Sequence, residues 1–150
     1  MRIIKQLMFL SALLTLAHAA FAAADGARVT VHAILVVGSN QGGKSDPRLS
    51  RYESNLKGIL HVASFRVIGE GSAAVAAPGK GTVSFGSGQS LDVQAEKSDG
   101  KGVYLRVNWR EGGRSVIDNG RDMAPGVPMI LAGKASGNAD EVFAVIVTVD

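Results

Sequence analysis

Three groups of residues in this chain are of the types that chemistry uses. The first is Gly38-Ser39-Asn40-Gln41-Gly42-Gly43-Lys44-Ser45, which fits the pattern G-x-x-x-x-G-K-[ST] between an apolar run and a candidate helix. In a phosphate-binding loop of that pattern the backbone N–H groups wrap the phosphates, the lysine reaches the terminal ones and the serine holds magnesium. Gly38, Gly43, Lys44 and Ser45 would carry those roles. Asp150, closing the apolar run Val145 to Val149, would be the acid that helps hold the metal. The second group is His32 and His61, either of which could be a general base in a small hydrolase. The third is polar: Asp118-Asn119-Gly120-Arg121-Asp122 could hold a cation weakly, and Arg106, Arg110 and Arg114 could form an anion patch.

Each of these meets a physical objection. A working phosphate loop runs straight into a helix whose N-terminus faces the phosphate. Here Pro47 disfavours a helical Asp46, which moves the helix start downstream, and the Asp46 carboxylate would repel the phosphate. Parallel strands with crossover helices host such loops, and this chain offers one helix. His32 lies inside an apolar strand, where a hydrogen-bonded wall position is expected. His61 follows the helix, where it can interact with the helix C-terminus. Gly86-Ser87-Gly88 lacks the spacing of a nucleophile elbow and reads as a hairpin tip. The chain has no cysteine, no histidine pair at ligand spacing and no D-x-D-x-D loop, so no metal set is named. The run Asp118 to Asp122 reads as a turn between strands. The arginines face Asp92, Gln94 and Glu96 if their two strands pair, which describes a solvated face. The sequence therefore names no catalytic residue, no metal ligand and no cofactor.

The elements around these residues follow from composition and pattern. Arg2 and Lys5 precede the apolar stretch Leu7 to Leu16, and Ala20-Phe21-Ala22 fits the cleavage rule for an exported precursor. Residues 1–22 read as a signal peptide, with Ala24 as the second candidate for the cut, and 23–150 as one β-rich domain, periplasmic or secreted. No long apolar run follows, so no membrane span is expected after cleavage. The chain has 16 Lys+Arg against 13 Asp+Glu, a net charge of +3; losing Arg2 and Lys5 leaves 14 against 13, or +1. A balance so near neutral is no argument for nucleic acid.

Val29 to Val37 is apolar on both parities and reads as a buried strand. Asp46-Pro47 reads as a helix cap, and the spacing of Leu49, Tyr52, Leu56, Ile59 and Leu60 predicts a helix over 47–60, its stripe against a sheet. Short strands follow. Ser64 to Val75 is loosened by Gly69 and Gly71, Ala77 to Gly81 is a turn, and Thr82 to Phe85 and Leu91 to Glu96 form a hairpin. Val103 to Arg110 has Val103, Leu105, Val107 and Trp109 on one face. After a turn come Ser115 to Asn119, Met129 to Ala132 and Glu141 to Val149, the last apolar on both parities and hence central. The expectation is an antiparallel β-sandwich or partly open barrel of about eight short strands with one α-helix.

Several segments, Asp46-Pro47-Arg48-Leu49 with Tyr52, Ser64 to Gly69, and the closing half, resemble short exported bacterial β-domain proteins of unassigned function. The closing half, Pro125 to Gly133 leading to Phe143 to Val149, also resembles the final hairpin of outer-membrane secretin β-domains. That resemblance implies an envelope secretion or pilus-assembly role with no catalytic residues. The leading reading is a non-catalytic exported β domain that binds a protein or envelope component through a sheet edge. Gly69 to Ala74 and Thr82 to Phe85 are the candidate edges. A nucleotide-binding protein using Lys44 and Ser45, and a small hydrolase near His32 or His61, are the alternatives. Oligomeric state is open.

Overall fold

A computed structural model of the chain describes residues 27–99, 101–134 and 140–150. The expected signal peptide and its cleavage position lie outside the described residues. Within them the strands are β1 (Ala27–Ser39), β2 (Ser64–Ala77), β3 (Gly79–Gly86), β4 (Gln89–Asp99), β5 (Gly102–Glu111), β6 (Arg114–Met123), β7 (Met129–Lys134) and β8 (Glu141–Val149). They form two four-stranded antiparallel sheets, ordered β2-β1-β8-β7 and β3-β4-β5-β6. The architecture is a sandwich rather than a closed barrel. One α-helix, α1 (Glu53–Leu60), lies on the outer face of the first sheet.

Those three layers account for the apolar patterns. Val29, Val31, Ala33 and Leu35 of β1, with Val145, Val147 and Val149 of β8, point between the sheets. There they meet Leu91 and Val93 of β4 and Leu105, Val107 and Trp109 of β5. The opposite parity, Val36 of β1 with Ala144 and Ile146 of β8, lies under Leu49, Tyr52, Leu56 and Leu60. A strand covered on both faces has no polar side to alternate with, which is why β1 and β8 read as continuous apolar runs. β8 is central, between β1 and β7, and β5 alternates as its sequence requires.

The expected helix over 47–60 is two elements. A 3-10 turn spans Pro47–Leu49, capped by the Asp46 carboxylate accepting from the Arg48 N–H at 2.9 Å, and the α-helix begins only at Glu53. The bonds Leu49 N–H to Asp46 O and Tyr52 N–H to Leu49 O, both 2.9 Å, are of the tighter i to i+3 kind. Such winding brings residues three apart onto one side, and it buries both Leu49 and Tyr52 against the sheet. With the α-helix shortened, Leu56 and Leu60 carry its contact, and Ile59, expected in the stripe, is 45% exposed.

Two turn expectations are also corrected. Asp118 to Asp122 is part of β6, held to β5 by the pairs Asp118↔Asn108, Gly120↔Arg106 and Asp122↔Tyr104. Its polar residues are tolerated because an edge strand exposes them to water. Gly120 leaves room for the Tyr104 ring, whose Oη would lie 2.7 Å from an added Cβ. The turn expected over Ala77 to Gly81 is confined to its start, since β3 begins at Gly79.

Nor is β2 loosened. It runs unbroken for 14 residues, with one irregularity opposite Leu35 and Val36. Its glycines allow close approach: a Cβ at Gly69 would lie 2.7 Å from the Phe85 carbonyl oxygen, and one at Gly71 would lie 2.8 Å from Val83 Cγ1. The strand β3 thus packs directly along β2 where the chain passes from one sheet to the other.

Trp109 is the largest side chain of the inter-sheet core, and its indole N–H donates to Gln89 Oε1 at 2.7 Å in a buried contact. Trp109→Ala should lower unfolding free energy by about 3–5 kcal/mol, from the lost packing and the cavity left behind. Denaturant titration checks this, and a cost near zero would mean that the ring does not fill the core.

Candidate binding edge

β1 delivers the two ends of the first sheet to opposite poles of the molecule, and this separates the residues that the sequence motif would bring together. Gly38 and Ser39 end β1, where Ser39 pairs with Glu141. Asp150 lies at the other end, exchanging backbone hydrogen bonds with Thr30 at 3.0 and 3.2 Å. Ser39 lies nine residues along β1 from Thr30, so Asp150 is about 30 Å from the start of the loop at Ser39. An antiparallel β8 makes this unavoidable; a metal-holding acid would need a parallel strand.

The loop's own groups are engaged locally. Ser45 Oγ accepts from the Phe65 N–H at 3.1 Å, and the Asp46 N–H donates to Phe65 O at 2.8 Å. These bonds tie the loop to the start of β2. Asp46 is engaged by Arg48, whose guanidinium reaches it at 2.8 Å and also reaches Glu70 at 3.0 Å. Lys44 is exposed. The Arg48 side chain, then its N–H, hold the Asp46 carboxyl below the ordinary value of 3.8, and the Asp46 carboxylate in turn raises the pKa of the guanidinium.

The histidines are likewise at opposite ends. His61 is the C-cap of α1 in the left-handed region (φ 55°), its N–H donating to Lys57 O at 3.1 Å. His32 faces outward from β1, with Nε2 2.7 Å from Asp150 Oδ2. Ser72 and Thr148 sit directly across from it on β2 and β8. A row of Ser, His and acid is therefore present on one exposed sheet face, beyond the part that α1 covers. His32 is held by Asp150, and the Ser72 hydroxyl makes no hydrogen bond to it, the contact by which a base activates a nucleophile. The sequence signal for this row was hidden, since it is assembled from three distant strands.

The arginine face resolves into ordinary cross-strand pairs. Arg110 lies 3.6 Å from Asp92, and Arg106 lies 3.7 Å from Asp118. Arg114 sits at the β5–β6 turn, opposite Glu111. The described residues contain no group of three or more His, Cys, Asp or Glu that could hold a metal ion, and no helix among them is long and apolar enough to cross a membrane.

The sheet edges differ more than the sequence suggested. Gly69 to Ala74 and Thr82 to Phe85 do lie on edge strands, β2 and β3. Each covers the other, through the contacts of Gly69 with Phe85 and Gly71 with Val83, so neither presents a clear edge. On the far side β6 and β7 are the outer strands. The strand β6 exposes Arg114, Asp118, Arg121 and Asp122, charges of the kind that discourage strand pairing. The strand β7 reads Met129-Ile130-Leu131-Ala132-Gly133 before its first charge at Lys134. Among the described residues, no backbone hydrogen bond joins β7 to anything except β8. Sequence reasoning did not single out β7 as an edge, because an apolar run does not show whether both its flanks are paired.

No protein-family model, curated protein or solved structure matches this chain.

Two outcomes follow for the loop. Saturating magnesium and nucleotide should leave the melting temperature unchanged in the native protein and in Lys44→Ala alike; a nucleotide-dependent rise lost in Lys44→Ala would restore the phosphate-loop reading. A carboxyl held below its ordinary pKa stabilises the fold above the unfolded value, and that contribution is lost as pH falls through the folded one. Asp46→Asn should therefore be less stable than the native protein at neutral pH, with the difference fading under acid. Thermal melts across that range check this; a pH-independent difference would contradict it.

Proposed function

We propose that this protein is a non-catalytic exported module that binds another protein by adding one of its strands to the free edge of β7. The observation carrying this reading is the contrast among the four outer strands: two shield each other, one is charged, and β7 is apolar with its outer backbone groups unpaired among the described residues. An unpaired ladder recruits an extended segment through main-chain hydrogen bonds, and alternate side chains supply the specificity. Export rests on the basic, apolar and small-residue order of the first 22 residues. An envelope-assembly role, as the resemblance of the closing hairpin to secretin β-domains implies, is compatible with such binding.

The test is crosslinking in cells, followed by capture of the tagged protein from the envelope fraction. Ala132 is exposed on β7, so Ala132→Lys places a charge at the edge without disturbing the core. The native protein should yield a discrete crosslinked partner, and Ala132→Lys should lose it at unchanged melting temperature. A partner retained by Ala132→Lys, or no partner at all, would contradict this reading.

A further inference from the structure

The free edge of β7 does not border open solvent on its outer face. A groove of about 430 Å³ runs there, lined by Gly58 and Ile59 of α1, Pro128 and Ile130 at β7, and Arg121 of β6, with Asn55 at its wall. Arg121 belongs to the opposite sheet, so the groove passes from the helix over β7 and round its free edge to β6. Ile59 is 45% exposed in it, and Ile130 is only partly buried. No carboxylate pairs with Arg121 among the described residues, whereas Arg48, Arg106 and Arg110 each have one. The surface is thus apolar along the helix side and carries an uncompensated cation at the far end.

We propose that the segment added to β7 is an extended peptide in which an apolar residue is followed directly by an acidic one. The apolar side chain enters between Ile59 and Ile130 on the outer face, and the carboxylate, turned to the other face, pairs with Arg121 of the opposite sheet. This rests on the edge-binding reading above and specifies its partner. Successive residues of a strand point to opposite faces, so an apolar residue with Asp or Glu next to it satisfies both contacts at once. A bidentate Arg–carboxylate pair at the rim fixes the register of the incoming strand. A second copy of β7 meets this less well, since its run Met129 to Gly133 has no acid to offer.

The test uses fluorescein-labelled Thr/Val-rich peptides of about eight residues, each with a central Leu and, in the next position, Glu, Gln or Lys. Fluorescence polarisation against the native protein should rank Glu above Gln above Lys, with roughly tenfold or more between the extremes at low salt. Arg121→Glu should reverse the order. Gly58→Leu blocks the groove from the helix side, where an added Cβ meets nothing within 4 Å, and replaces the poorer helix former, so the fold is retained. It should abolish binding of every peptide. If cell crosslinking depends on Ala132 while peptides bind without charge preference, or survive Gly58→Leu, the edge reading stands and this partner assignment falls. If no peptide binds the native protein, the assignment likewise falls. A native protein that elutes as a dimer, dissociated by Ala132→Lys, would replace the peptide with a second copy.

Discussion

The first sheet is buried from both sides, and the rest of the structure follows from that requirement. A sheet made of β1 and β8, apolar on both parities, cannot leave either face in water. One face is covered by the second sheet, through Leu91, Val93, Leu105, Val107 and Trp109. The other is covered by a helical segment that has to be brought back across it from the end of β1. The Gly38–Ser45 loop performs that return. Its hydrogen bonds to Phe65, and the Asp46 cap that sets the 3-10 turn, serve placement of Leu49 and Tyr52. A motif with the letters of a phosphate site is thus occupied by a covalent and steric task.

The same requirement decides where the edges lie. The chain leaves the first sheet at β2 and enters the second at β3, so the two strands meet at one side of the sandwich. Gly69 and Gly71 let them come into contact there. The opposite side receives β6 and β7, joined by the loop after Met123, and there Gly133 brings β7 against Trp109 and Val116 while the outer side of the β7 ladder pairs with nothing among the described residues. Water-facing charges protect β6. The strand β7 is short, six residues, and its outward side is bordered by the groove that Ile59 and Arg121 line. Sandwich folds commonly guard such an edge. An apolar edge whose outer side is unpaired among the described residues is the feature on which the proposed binding role rests.

Much of this was legible from residue order. Val103 to Arg110 alternates so regularly that its buried and exposed faces could be assigned directly, and the double-sided apolar character of the final strand placed it at the centre. What failed depended on contacts between distant segments. Gly69 and Gly71 look like weak points along a strand until Phe85 and Val83 are seen against them. The sequence Asp118 to Asp122 has turn composition, yet its partner β5 holds it extended. The helix was overrun by six residues, Pro47 to Tyr52, of tighter winding, because a period of three and one of 3.6 agree over so short a span as Leu49 to Tyr52. The row of Ser72, His32 and Asp150 has no sequence signature at all, since register alone brings its members together. Which strands end up outermost is likewise set by topology: Gly69 to Ala74 and Thr82 to Phe85 do lie on outer strands, but an apolar run such as Met129 to Gly133 does not say whether both its flanks are paired.

Native-state hydrogen exchange of the β7 amides tests the central claim most directly. Unpaired strand groups exchange through little or no opening, while paired groups require the ladder to break. With the free edge described here, alternate amides of Met129 to Lys134, those turned away from β8, should exchange fast, while the intervening ones and the amides of β1 and β8 remain protected. Uniform protection along β7 in the isolated protein would show that the edge is already paired, and the account of a strand waiting for its partner would be wrong.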